Sequence, residues 1–241
     1  MIKTTAAYKE ALKENGIFHH KVVINFQDGS NDTVEDLDIY TLQISEGTSN
    51  TSSFDLGAAI AQQLTLKLNN IDGRFDEHDF NGAVITVQVG LELLDGSTEW
   101  LDKGKYTAEP GEEAGNSISV KAFDDMTKFD QSYSLSKLVY PATLGTIVRD
   151  ACSCCGVTLA SDTATFDNDN FIVQNRPDDS ALTFRQVLQW VGQIACKFFK
   201  IDRFGKLSAQ WYDTELLEAT WVQKEDTIWT DVDGNAILDS E

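Results

Sequence analysis

The side chains in this sequence whose types and spacing bear on chemistry are carboxylates, thiols and imidazoles. Asp124 and Asp125 stand together in AFDDMTKFDQSY, residues 122–133. Acid–base work by paired carboxylates needs two acids facing each other across a cleft, with their pKa values pushed apart. Adjacent residues instead diverge by about 100° on a helix and face opposite sides of a strand. The pair suits a corner, where either acid caps a short helix begun by DDMTKF and favours its positive end. Half of a catalytic pair and part of a metal site are the rival readings.

The thiols are Cys152, Cys154 and Cys155, clustered as CSCC, and Cys196. This spacing does not read as a disulfide framework. Zinc takes thiolates or imidazoles in spaced pairs, and no second pair follows the cluster; Cys152, Cys155 and Cys196 are the set that folding would have to bring together. Buried core thiols are the expectation. The three histidines limit nucleophilic schemes: His19 and His20 fall at a helix-to-strand junction and His78 in the polar stretch RFDEHDF, so all three are expected to be solvated loop residues. No GxSxG, HExxH or glycine-rich phosphate loop occurs. In DVDGNAILD, Asp231, Asp233 and Asn235 occupy the first, third and fifth positions of a calcium-type loop, but Ala236 stands where glycine is required and the twelfth position falls beyond Glu241. A turn is expected there. Catalytic, cofactor-binding and metal-ligating residues: none is assigned, and no enzyme is expected.

These groups sit in an acidic chain. Of 241 residues, 39 are Asp or Glu against 19 Lys plus Arg, a formal charge of -20. Such a surface repels nucleic-acid phosphates and anionic lipid heads, which argues against groove binding and electrostatic membrane docking. An acidic wall still serves DNA by failing to hold it. Basic residues do not alternate with aromatics as single-strand binding requires, and the five tryptophans are expected in the core. The start, MIKTTAAYKEALKENG, lacks an apolar signal region, and no run of 18 apolar residues occurs, so synthesis in a cytoplasm without membrane anchoring is expected. Apolar types make up 41% of the chain, enough for a real core.

The elements that must position these groups follow from periodicity. A short helix is expected over residues 4–14, ended at Asn15-Gly16. Alternation at Val22, Ile24 and Phe26, a turn at Asp28-Gly29 and an apolar run at Leu37, Ile39, Leu42 and Ile44 predict a first hairpin or pair of strands. Further strands are predicted at Leu64, Leu66 and Leu68, through residues 83–93, after the Asp95-Gly96 turn, and at residues 116–123. The first 130 or so residues thus read as a β-barrel or sandwich. From residue 141 the period turns helical: Leu144, Ile147, Val148, Ala151, Cys152 and Cys155 share a stripe, with Gly156 at the C-cap. Thr183 and Gln186 match a capping box ahead of Phe184, Val187, Leu188, Val191, Ile194, Ala195 and Phe198. A hairpin turning at Asp202–Gly205 follows. The fold class is therefore mainly β with an α+β second part, a helix plus hairpin, and the expected division is 1–135 and 136–241.

The ordered succession of EGTSNTSSFDLGAAIAQQLTLKLNN, VQVGLELLDGSTEWLDKGKYTA, ISVKAFDDMTKFDQSY, YPATLGTIVRDACSCCGV and LTFRQVLQWVGQIACKFFKIDRFGKL resembles the N-terminal portion of the tail-hub, or baseplate-hub, structural proteins of tailed bacteriophages and prophages. It covers residues 15–212. The resemblance implies tail-tube-like β-barrel domains, a homo-trimer forming a pseudo-hexameric ring that continues the tail tube, and neighbouring tube and tip proteins as partners. It implies DNA only in transit through a channel, no cofactor, assembly in the bacterial host cytoplasm and a final place in the virion tail. The cysteine cluster and the early stop at Glu241 depart from larger relatives. Two rivals stand beside it: a carbohydrate- or receptor-binding tail module, which requires an exposed aromatic patch, and a tail-associated cell-wall hydrolase, which requires converging catalytic groups.

Overall fold

The protein begins with a capped helix: Thr5 Oγ1 accepts from the Tyr8 amide and starts α1 (Ala6–Lys13), whose Tyr8 and Ala11 pack on Leu91. The structure is a computed structural model and describes residues 4–14, 16–47, 56–178 and 181–211. Two compact units are distinguished, Met1–Gln210 and Trp211–Glu241; all of the second but its first residue lies outside the described residues. The DVDGNAILD segment lies there too.

After α1 come β1 (Phe18–Asn25), β2 (Asn31–Glu35), β3 (Ile39–Ser45), β4 (Gln63–Asn69), β5 (Val84–Glu92), β6 (Thr98–Ala108), β7 (Glu112–Ala114) and β8 (Ser117–Phe123). They make one sheet in the order β2-β1-β5-β6-β8-β4-β3, with β7 on β8. The β1–β2 and β5–β6 turns use the same device. In each DGS sequence the Asp Oδ1 accepts from the Ser amide and hydroxyl, at 2.8 and 2.6 Å for Asp28–Ser30 and 2.9 and 2.6 Å for Asp95–Ser97. The intervening glycines take the left-handed conformation, φ 87° and 81°, that L side chains disfavour.

The two apolar segments are a pair of strands that are not hairpin partners, although the turn at Asp28-Gly29 does open a hairpin. Its second strand is the polar NDTVE of β2, while Ile39, Leu42 and Ile44 belong to β3 at the opposite edge of the sheet, and Leu37 between them is 93% exposed. A two-residue period registers which face is buried but not which strand is the neighbour.

Because β2 and β3 are the two edges yet only four residue steps separate Glu35 from Ile39, the edges stand at most about 14 Å apart at that point. The sheet must therefore curl. Its concave side holds one core, with Val22, Ile24, Val34, Leu64, Leu66, Leu68, Ile85, Val87, Tyr106, Ile118 and Val120 all buried. No β2–β3 ladder forms among the described residues, so the expected barrel is a curled sheet with an open seam.

Beyond β8 the chain enters the helical part: β9 (Ala142–Thr143), α2 (Leu144–Cys155), β10 (Thr158–Leu159), β11 (Ile172–Val173), α3 (Phe184–Ala195), β12 (Phe198–Ile201) and β13 (Lys206–Gln210). Thr143 Oγ1 accepts from the Thr146 amide to start α2, and Gly156, φ 65°, ends it. The Thr183–Gln186 capping box is formed in both directions. α2, α3 and the β12–β13 hairpin enclose a second core that also takes in Ala59, Met126, Phe129 and Tyr133. Phe198 belongs to β12 instead of α3, and Ile194 is 40% exposed. The described tryptophans are not core residues: Trp100 is half-buried under the Lys21 ammonium, 4.0 Å from its ring, and Trp190 and Trp211 are exposed. Among the described residues no helix is long and apolar enough to cross a membrane.

Candidate functional site

AFDDMTKFDQSY, around Asp124, is where β8 turns away from the sheet toward the second core. Asp124 is 2% exposed. Its amide donates to Gln62 O at 3.1 Å and its Oδ1 accepts from the Met126 amide at 3.1 Å, capping a 3-10 turn over Asp125–Asp130. That turn inserts Met126 and Phe129 into the second core. Gln62 links onward: its Nε2 donates to Ile201 O at 3.2 Å, and Tyr106 Oη donates to its Oε1 at 3.3 Å. Residues of β6, the entry to β4, the exit of β8 and β12 thus share one buried polar network.

The two acids are separated by this geometry. Asp125 is partly buried and pairs with Lys128 at 2.9 Å. Burial pushes the Asp124 carboxyl up to about 7, against the opposing pull of the Gln62 and Met126 backbone amides and of Arg185. Burial, and secondarily the Asp124 charge, also pushes the Tyr106 hydroxyl up. Asp124 Oδ2 and Arg185 Nε are both buried without a hydrogen-bond partner. Arg185 Nη2 is occupied with Met126 O at 3.2 Å and Asp130 Oδ2 at 2.6 Å. A carboxyl sealed this way acts on the fold, since no solute reaches it in this conformation.

Cys152 and Cys155 are buried on the α2 stripe, as the helical period predicts, and burial pushes both thiols up to about 12. Cys196 is exposed at the C-cap of α3, in the left-handed conformation at φ 51°. Among the described residues no group of three or more His, Cys, Asp or Glu is placed to hold a metal ion.

Of the three histidines only His78 lies in a loop, where it is half-buried. His19 and His20 lie in β1, and both bond Asp36 in the corner between β2 and β3, through Nδ1 at 3.0 and 2.9 Å. His19 Nε2 also stands 3.5 Å from Glu92 Oε2, and its bond to Asp36 raises its pKa. His78 stacks on Phe26, ring centroids 4.3 Å apart, with Nδ1 buried and unpartnered.

The two sheet edges differ in chemistry. On β2, the Thr33 amide donates to Asp32 Oδ1 at 2.7 Å and the Thr33 carbonyl accepts from Arg74 Nη2 at 3.2 Å. Arg74 is itself fixed by a two-point bond to Asp32, at 2.9 and 2.7 Å, and by Asp38 at 2.9 Å. Backbone groups that would invite another strand are thereby taken up. β3, IYTLQIS, carries no charge and no proline, and no described residue pairs with its outer edge. Sequence reading overlooked Arg74, Gln62 and Arg185, because each acts on a partner 36 or more residues away.

No family model matches this sequence, and no curated protein matches it. Solved structures do resemble it. The 43 kDa tail protein of prophage MuSo2 from Shewanella oneidensis superposes with a TM-score of 0.52 at 14% identity, covering 80% of this chain and 55% of that one. The half-lidded Francisella PdpA–VgrG complex gives a TM-score of 0.49 at 14% identity, covering 87% of this chain and 34% of the other. Its lidless form gives 0.44 at 13%, covering 87% and 38%. At such identities the likeness is one of fold: this chain shares the fold of a phage tail protein and spans about half of its length.

Proposed function

We propose that this chain is a structural component of a phage or prophage tail, and that copies join edge to edge into a ring-like hub between tail tube and tip. The fold shared with a prophage tail protein over 80% of this chain supports the tail assignment. The observation that carries the ring is the asymmetry of the sheet edges, one blunted by Asp32 and Arg74 and the other uncharged along Ile39–Ser45. In this reading residues 1–135 form the tube-like domain and residues 136–241 the beginning or whole of a second one. The assembly is a homo-trimer, its further partners are tube and tip proteins, and the net charge of -20 lets DNA pass without being held. Its place is the virion tail, and it performs no bond-making chemistry.

Sedimentation of the full chain over a range of concentrations, alone and mixed with the neighbouring tail proteins, tests this. The expected result is a discrete oligomer, reduced to monomer by Gln43→Lys with the fold intact. A folded chain that stays monomeric under both conditions would overturn it.

A further inference from the structure

We propose that Asp124 and Arg185 are the two halves of a latent ion pair, a proton-operated latch at the corner where the sheet hands over to the helical part. The geometry carries this. Two orphaned polar atoms, Asp124 Oδ2 and Arg185 Nε, are buried in one small corner, and both residues bond Met126, Asp124 at its amide and Arg185 at its carbonyl. Buried polar atoms are rarely left without partners, and here a single rearrangement would satisfy both. With a proton on Asp124, the carboxyl keeps its capping bond and Arg185 stays on Met126 O and Asp130. When the proton leaves, the buried charge has no directly bonded cation, and among the described residues the Arg185 guanidinium is the cation that acts on it.

The other groups around the corner do not compete. Asp125, on the same turn, is held by Lys128. Tyr106 of β6 faces Asp124 with a hydroxyl already given to Gln62, and Glu46 stands near Tyr106. Gln62 does not titrate. Asp130 is the rival for Arg185. The elevated proton affinity that burial gives Asp124 puts the latch near neutral pH. Drawing Arg185 inward tightens the N-terminal turn of α3 against the Asp125–Asp130 turn, so the proton sets the rigidity of the joint between the two cores.

The test uses the full chain with carbon-labelled aspartate and nitrogen-labelled arginine, followed by NMR from about two pH units below to two above neutrality. The latch predicts that the Arg185 Nε resonance moves with the same midpoint as the Asp124 carboxyl. Asp130→Asn, which frees Arg185, lowers that midpoint; Arg185→Gln raises it and removes the accompanying change at the Met126 amide. Arg185→Lys, which keeps the charge in case the glutamine variant does not fold, lowers the midpoint relative to Arg185→Gln. An Arg185 Nε resonance that stays fixed through the Asp124 titration would overturn the proposal. So would a midpoint that Asp130→Asn leaves in place.

Discussion

Gly57 and Gly192 touch backbone to backbone: a Cβ on Gly192 would lie 2.7 Å from the Gly57 Cα, and one on Gly57 would lie 2.3 Å from Gln189 O. The contact lays the segment before β4 along α3. The Phe199 amide then donates to Ala58 O at 2.8 Å, so the same segment is pinned to β12 as well. In an open helix position Gly→Ala gains up to about 1 kcal/mol. Here Gly192→Ala is expected to lose about 1–3 kcal/mol through overpacking against backbone that cannot turn aside. Urea unfolding measures it, and a gain would show that the two segments separate freely.

Asp124 makes stability depend on pH in a defined direction. Its folded pKa is raised from 3.8 to about 7, so its contribution is fully present below 3.8 and is lost as pH rises through about 7. Three units at 1.36 kcal/mol each put the upper limit near 4 kcal/mol. Asp124→Asn keeps the capping oxygen and removes the charge. It is expected to raise Tm above neutral pH and to make little difference near pH 4, as thermal unfolding at the two values would show; equal Tm shifts at both would contradict it.

The corner at Asp36 responds with the opposite logic at its two ends. Bonding to Asp36 raises His19, so that contribution is present below 6.5 and lost as pH rises through the raised value. Asp36 is lowered: burial works against this, but the bonds from His20 and His19 outweigh it, and its contribution is lost as pH falls below 3.8. The β2–β3 corner is therefore tightest between these limits. Imidazole NMR is expected to place His19 above its ordinary value in the native protein and to return it toward 6.5 in Asp36→Asn.

Arg74 holds Asp32, Asp38 and the Thr33 carbonyl together. Arg74→Ala is expected to cost about 1.5–3 kcal/mol, the scale of hydrogen bonds to charged groups. It also uncovers β2, so concentration-dependent aggregation rises with it. Light scattering beside urea unfolding separates the two effects, and a variant that loses neither stability nor solubility would deny Arg74 this role.

Much of this fold is legible in the sequence because its signals are local. The capping box at Thr183, the glycine that ends α2, the DGS turns and the alternation of Leu64, Leu66 and Leu68 each report a short-range preference, and each is found where expected. Strand neighbours are not local. Nothing in residues 31–45 says that β2 and β3 end on opposite edges, so the apolar run leaves hairpin and separate strands equally open, and it does not reveal that Leu37 stays outside the core. The corner at Asp124 is half legible: DDMTKF announces a cap, but Gln62 and Arg185, which pull against the burial that raises the carboxyl, are supplied by distant segments. Pattern reading places the histidines in loops and the tryptophans in the core; His78 is in a loop, but His19 and His20 stand in β1 and the described tryptophans are half-buried or exposed.

The central claim is that the uncharged edge of the sheet is where copies join. Cryo-electron microscopy of the assembled protein tests it most directly. An annular particle in which Ile39–Ser45 hydrogen-bonds to a strand of the adjacent copy is the predicted result; an assembly that leaves this strand facing solvent on every copy would contradict it.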